Sequence, residues 1–359
     1  MTTHNNILIQ LGFSSSFENY LKEKQLHDWE IARITSEHKE RYRLVNHNGE
    51  FEGEVIGTLR FTAQNREDFP VVGDWVTITK YDDAKVFIHH ILKRTNILKR
   101  QAVGKAATAQ PIAANVDYAF VVESVNRDFS INRFQRYITL CFEARISPIL
   151  VLNKADLIDT DILRELVEEV NNRIPDVPVI TTSCLSQSGI SDLQELILSG
   201  KTYCFLGSSG VGKSSLINLL SGSEVMETGV IGSGTQRGKH VTSHRELIIL
   251  LRGGVLIDNP GMREVGITNA ESGLGTTFVD ITSLAKQCKY TDCTHQHEDG
   301  CAVLEALENG EIDRDSYNNF LKMQREAQHY SYTEAEKRQK GKDFAKMVKQ
   351  VKKRKPWKY

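Results

Sequence analysis

The chain has 359 residues, 40% of them hydrophobic and 25% charged, a composition that fits two or three globular domains of a soluble protein. No apolar run reaches membrane-spanning length, and the polar start Met1-Thr2-Thr3-His4-Asn5-Asn6 is not a secretory signal, so a cytoplasmic protein without a membrane partner is expected. The net charge of −1 hides an asymmetry: residues 334–359 carry 11 Lys or Arg and 3 Asp or Glu, so a +8 tail follows a body at −9 and suits a polyanionic partner.

Residues 30–100 read as short alternating strands, Glu30–Ile34, Tyr42–Val45, Trp75–Ile78 and Val86–Ile88, separated by turn signals such as Asn46-His47-Asn48-Gly49 and Asp82-Asp83. Closing such a sheet into a small barrel removes its edges, and an OB-fold is the natural candidate at this length. Arg41, Arg43, Arg60, Arg66 and Lys80 are its candidate RNA face, with ordinary solvated charge as the plain alternative for each.

The apolar strand Ser147–Leu152 then runs into Asn153-Lys154-Ala155-Asp156. Asp156 can accept from the ring N–H and the exocyclic amine of guanine. Adenine offers neither donor, so the carboxylate rejects it by leaving a buried charge unpaired. Alone, this tetrapeptide reads equally well as a helix start. A second strand, Val179–Cys184, follows; Ser183 supports the base edge, and Cys184 stands where Ala is usual, with packing as its alternative role.

The strand Tyr203–Leu206 leads into Gly207-Ser208-Ser209-Gly210-Val211-Gly212-Lys213-Ser214, and a helix begins around Ser214-Ser215. That is a phosphate loop in its required context: the glycines let successive amides and the helix N-terminus face phosphate oxygens. Lys213 is assigned to the β- and γ-phosphates and Ser214 to Mg²⁺. Downstream, Gly254–Ile257 runs into Asp258-Asn259-Pro260-Gly261, which fits the segment that senses the γ-phosphate, with Asp258 on Mg²⁺ through water and the Gly261 amide on the phosphate. Between them lies Gly232–Ser243, glycine-rich and polar, in which Thr242 is the second Mg²⁺ ligand and Ser243 its alternative. Met262 occupies the place of the glutamine that orients water in many GTPases. His240 is therefore the candidate to position water once a partner orders this segment, and a solvated loop histidine is the competing view.

Cys288-x4-Cys293-x-His295-x5-Cys301 puts three thiols and an imidazole within 14 residues, a tetrahedral zinc set with His297 as the runner-up fourth ligand. Cys141, Cys184 and Cys204 lie in apolar contexts and read as packing residues. From Ile312 onward the pattern is helical. Phe344, Met347, Val348 and Val351 form one stripe among lysines, and Lys352–Lys355 with Trp357 offer phosphate contacts and a stacking face.

The motif order is rotated, because the base-reading segment precedes the phosphate loop where most GTPases have the reverse. A chain that keeps every motif in rotated order implies the same sheet cut open at another loop. In this respect, and in Pro70–Val76, Ala113–Asp117 and the Cys288–Cys301 cluster, it resembles the circularly permuted ribosome-assembly GTPases known as RsgA (also YjeQ or YloQ) over nearly its whole length. The resemblance implies GTP hydrolysis to GDP, stimulated by the small (30S) ribosomal subunit and its 16S rRNA, in late maturation of that subunit by a monomer. Asn259 replaces the usual Thr, and Lys239-His240-Val241-Thr242-Ser243 departs from a threonine-rich run.

The expected architecture is multidomain: an N-terminal extension and OB β-barrel over 1–105, a circularly permuted α/β P-loop GTPase domain over 106–280, and a zinc-binding α-helical domain with a basic tail over 281–359. Fewer than 30 residues join Asp258–Gly261 to the cysteine cluster, so GTP and GDP are expected to reorient that module and set its affinity for the small subunit. A nucleotide-gated RNA-binding scaffold with little hydrolysis is the alternative function.

Overall fold

A computed structural model describes residues 3–38, 40–101, 109–126, 129–222, 246–250, 252–258 and 271–331. Two short helices open the chain, α1 (Thr3–Gln10) and α2 (Ser15–Glu23). They place Leu8, Leu11, Phe13, Phe17 and Leu21 around Trp75, with Phe13 edge-on to the indole at 5.0 Å. This apolar cap explains why the tryptophan of the Pro70–Val76 motif is fully buried.

Five strands follow: β1 (Glu30–His38), β2 (Arg41–Asn46), β3 (Gly49–Val55), then, after helix α3 (Gly57–Thr62), β4 (Trp75–Asp82) and β5 (Lys85–Ile91). They pair in the order β1-β2-β3-β5-β4, and β4 returns to β1, so the sheet closes into a barrel with a parallel β3–β5 pair. Alternate residues point inward, as the two-residue period of a strand requires: Tyr42 and Leu44 from β2, Val86 and Ile88 from β5. The sequence reading missed β3, whose acidic residues mask an alternation of Phe51, Gly53 and Val55 facing inward. A hairpin of β6 (Ile97–Gln101) and β7 (Ala109–Ala114), also unanticipated, leads out of the barrel.

The central sheet comprises β8 (Tyr118–Ser124), then, after helix α4 (Ile131–Glu143), β9 (Ser147–Asn153), helix α5 (Thr160–Arg173), β10 (Val179–Thr182), helix α6 (Ile190–Glu195), β11 (Thr202–Leu206), helix α7 (Lys213–Ser221), β12 (Glu246–Ile249) and β13 (Val255–Asp258). Its order is β10-β9-β8-β11-β13-β12, parallel except for β12. These strands read as continuous apolar runs because both faces are covered. Ala119 and Val121, Leu150 and Leu152, and Cys204 and Leu206 enter the core beneath α4 and α5. Their neighbours Phe120, Val122, Ile149, Val151, Tyr203 and Phe205 enter the core beneath α6 and α7. Cys141 and Cys204 are fully buried packing residues, and burial raises the thiol of Cys204 to about 12.

Barrel and central sheet are continuous through a single β1–β12 pairing, Ser36 opposite Glu246. Buried Arg33 pins them further: its guanidinium donates to Leu11 O, to Gly73 O at 3.2 Å and to Thr202 Oγ1 at 2.9 Å, and burial pushes its pKa down to about 10.

The last described part is helical: α8 (Glu271–Thr277), α9 (Val279–Ala285), α10 (Ala302–Glu308) and α11 (Arg314–Ser331) around Leu274, Phe278, Ile281, Val303 and Phe320. It sits on α4, where Arg136 and Glu326 pair bidentately at 2.8 and 2.7 Å and Asn319 donates to Gln135 at 2.7 Å. No helix among the described residues is long and apolar enough to cross a membrane.

Candidate nucleotide and metal sites

The ends of β9, β10, β11 and β13 meet at one edge of the central sheet, and they bring the separated motifs together. Register does most of this work, since Asn153 lies opposite Ser124 on one side and Thr182 on the other. Asn153 is 1% exposed and bridges three segments: its amide donates to Val211 O at 2.8 Å, and its Oδ1 accepts from the Thr182 hydroxyl at 3.0 Å and the Cys184 thiol at 3.7 Å. Lys154, left-handed at φ 62°, donates from Nζ to Gly210 O at 2.7 Å, which ties the base-reading segment to the phosphate loop a second time.

Asp156 lies in the following 3₁₀ turn, exposed, and its carboxylate accepts a hydrogen bond from the Ser183 hydroxyl, itself held by the Ser186 amide at 3.1 Å. Its outer edge therefore faces solvent and is open to a donor from a ligand. Cys184 is half-buried beside the Asn153 side chain, with its thiol raised chiefly by burial.

The loop Gly207–Gly212 curls as three left-handed glycines demand: Gly207 at φ 142°, Gly210 at 84° and Gly212 at 101°. A Cβ at Gly207 would lie 2.2 Å from Val122 O, and one at Gly212 would lie 2.1 Å from Asn153 Nδ2. Ser208, Ser209 and Val211 complete the loop, and Ser214 and Ser215 begin the first turn of α7. Lys213 turns back and donates to Gly207 O at 2.8 Å and Ser208 O at 2.6 Å. Burial lowers its pKa to about 8, against the opposing attraction of Asp258 and Glu123. Asp258, 6% exposed at the end of β13, thus lies within electrostatic reach of the lysine.

Three contributors carry no motif. Glu123, one residue before the end of β8, is buried and gripped by Arg133 of α4 at 2.9 to 3.2 Å, and Tyr137, one helical turn on, is buried within electrostatic reach of Glu123 and Ser208. The only signal for them in the sequence was the four-residue spacing on a helix. His240, Thr242, Gly261, Met262 and the 334–359 tail lie outside the described residues.

In the helical module, Cys288, Cys293, His295 and Cys301 converge so that all four ligand atoms lie within 4.8 Å of one another, a set that could hold a metal ion. His295 Nδ1 is 3.6 Å from Cys288 Sγ and 3.5 Å from Cys301 Sγ. His297 is exposed and outside the group. His295 adopts φ 59° and its carbonyl accepts from the Tyr317 hydroxyl at 2.6 Å, so α11 helps fix the loop. Glu298 organises the same loop: the Thr294 hydroxyl and the amides of Thr294, Gln296 and His297 hold its carboxylate well below the usual range. Three thiols and one imidazole at this separation suit tetrahedral zinc.

Comparison with known proteins agrees with this geometry. The family model described as RsgA GTPase matches residues 91–268. The small ribosomal subunit biogenesis GTPase RsgA 1 of Bacteroides thetaiotaomicron is 39% identical over 356 residues, covering 99% of both chains. The protein of the same name from Listeria innocua is 38% identical over 328 residues, covering 90% of each. Among solved structures, YjeQ from Thermotoga maritima aligns at TM-score 0.61 with 28% identity, covering 82% of this chain and 96% of that one. YloQ, titled a circularly permuted GTPase, aligns at TM-score 0.61 and 28% identity over 84% and 96%.

Proposed function

The chain belongs to the RsgA family of GTPases and is a GTP hydrolase, and from that premise we propose that it acts in biogenesis of the small ribosomal subunit, which stimulates its turnover. The observation that carries this reading is the Asn153 bridge, which fastens the base-reading segment to the phosphate loop despite the rotated motif order. The scaffold alternative finds no support in a family defined by GTP hydrolysis.

In this reading the guanine edge covers Asp156, with Ser183 and Cys184 beside it, and Lys213 leaves its two loop carbonyls for the β- and γ-phosphates. Ser214 and Asp258, with Thr242, would hold Mg²⁺, which neutralises charge developing on the phosphates. The Gly261 amide meets the γ-phosphate, and His240 positions the attacking water when a partner orders Gly232–Ser243, since Met262 cannot. The Cys288, Cys293, His295 and Cys301 ligands take one structural zinc.

The proposed domains are a barrel over 1–105, the permuted GTPase domain over 106–280 and the zinc-binding helical domain over 281–359, in a cytoplasmic monomer. The +8 tail and the barrel meet 16S rRNA. On the barrel Arg41 and Arg43 are exposed and open to phosphate. Arg60 and Arg66 are paired with Glu40 and Glu37, and Lys80 lies over the Phe51 ring at 4.7 Å, so these three contribute less. GTP hydrolysis measured with purified small subunits, with large subunits and with neither tests the proposal. Stimulation by small subunits alone is expected; equal rates in all three would overturn it.

A further inference from the structure

The central sheet has a second edge, at the starts of its parallel strands and thus opposite the nucleotide edge. There Tyr118, Ile149 and Pro178 line a groove of about 560 Å³, together with Phe142 from the end of α4 and Leu196 and Leu198 from the turn after α6. The two leucines are 37% and 52% exposed, yet their backbone is fixed. The Tyr203 hydroxyl donates to Leu196 O at 2.7 Å and accepts from the Leu198 amide at 2.9 Å, and Ile197 between them is buried. An apolar surface held this firmly in view of solvent has the form of a patch that receives a partner. The charged side chains at the groove are Arg145, Asp176 and Glu195, all exposed, so its rim carries one cation and two carboxylates.

One segment of this chain has the matching chemistry. In residues 334–359, Phe344, Met347, Val348 and Val351 recur at helical spacing, with lysines between and after them. Phosphate contacts use those cations and not the apolar stripe. The charges also match, since the tail carries +8 and the rest of the chain −9. Reach is sufficient as well. Glu326 of α11 pairs with Arg136 of α4, and Phe142 lies further along α4 by about 9 Å. Ser331, at the end of α11, lies about 8 Å beyond Glu326, which puts it within about 30 Å of the groove even with the two helices splayed. Residues 332–343 extend to about 40 Å. We propose that this groove docks the apolar stripe of the tail, Phe344 to Val351, in the free protein, and that a polyanion binding Lys352–Lys355 draws the tail out. Docking sets the neighbouring lysines against Asp176 and Glu195, so the same cations cannot serve both partners. The inference goes beyond the nucleotide site and needs no GTP chemistry.

The test uses the full-length chain with p-benzoylphenylalanine in place of Met347, cross-linked by light without nucleic acid and read by mass spectrometry. Cross-links to Phe142–Ile149 and Leu196–Leu198 within one chain are expected, with a yield independent of protein concentration. Leu196→Ser with Leu198→Ser should lower that yield at least about fivefold, and the melting temperature should stay within about two degrees because both side chains are exposed. Phe344→Ser, which leaves the groove intact, should lower the yield by a similar factor. A saturating strand of about 20 uridines should lower it about tenfold, and by reciprocity the Leu196→Ser/Leu198→Ser protein should bind that strand about threefold more tightly. Cross-links to other surfaces, or none to the groove, overturn the docking. Cross-links that join two chains and rise with concentration assign the groove to a second copy and overturn it as well. A strand that leaves the yield unchanged, whether or not it binds, overturns the competition.

Discussion

The nucleotide edge and the metal loop place their side chains by opposite means. Asn153, Thr182 and Asp258 come from three strand ends and Lys213 from the helix start after a fourth, spread over more than 100 residues, and sheet register aligns these elements before any ligand arrives. The four metal donors come from 14 consecutive residues that contain no strand or helix of their own and few apolar side chains. The first site is preorganised by the core of the central sheet, whereas the second, as the proposed zinc site, would depend on its ion for most of its local stability. Damage should therefore spread differently: at the edge it costs affinity, in the loop it costs folding.

Metal removal should give the largest effect. Stripping the ion with a chelator, or making Cys293→Ser, is expected to open residues 288–301 at a cost of several kcal/mol, since zinc sites in small modules contribute about 10 kcal/mol or more. Hydrogen exchange should show protection lost there and at Tyr317, whose hydroxyl holds His295, with β8, β9 and β11 unaffected. Equal loss across the central sheet would show that the two regions are not independent.

Gly212→Ala strikes the edge where its two halves are joined. The new Cβ would lie 2.1 Å from Asn153 Nδ2, and that side chain cannot retreat because it is buried and bonded at both ends. With a backbone at φ 101° besides, GTP affinity is expected to fall at least about a hundredfold while the melting temperature falls by only several degrees, as strain of about 1–3 kcal/mol implies. Isothermal titration against thermal melting separates the two; a large fall in stability with affinity intact would contradict a preorganised edge. Asp156→Asn should be milder. The carboxylate is exposed without a base, so the fold loses nothing, but GTP should weaken about ten- to hundredfold and its advantage over ATP should shrink by a similar factor. Competition of ATP against GTP in both proteins reads this directly.

The same contrast governs how much could be read from the residues alone. The phosphate loop, Asn153–Asp156 and the cysteine spacing announce their chemistry because backbone geometry or ligand count restricts the residue types allowed. The barrel's β3 escaped because Glu50, Glu52 and Glu54 make an exposed face that outweighs Phe51 and Val55 in any average. Glu123, Arg133 and Tyr137 escaped because nothing about a lone charged or aromatic residue on a strand or helix reveals what lies across the space it faces. That information is held in the packing of α4 on the sheet. Likewise Asp156 reads as a charge to be buried, and only the structure shows it exposed, with a hydrogen bond from the Ser183 hydroxyl.

The smallest expected effect is a dependence of affinity on pH through Lys213. Burial lowers its folded-state pKa to about 8, below its ordinary 10.5, so the fold disfavours the charged form. That penalty on the nucleotide-free protein is present below about pH 8 and is relieved as pH rises toward the unfolded value, so free-protein stability gains slightly over that window. Phosphate oxygens favour the ammonium, and the sign for binding is therefore opposite: affinity is full at pH 7 and declines as pH passes through 8. Between pH 7 and 8.5 the loss should be about fourfold, with proton uptake on binding at the upper end. Titration calorimetry in two buffers of different ionisation enthalpy measures that uptake. In Lys213→Arg, whose guanidinium stays charged, whatever affinity remains should be flat over the same range. Absence of proton uptake by the wild type at pH 8.5 would mean that Lys213 is already fully charged before the phosphates arrive, and that the edge is less desolvated than its geometry implies.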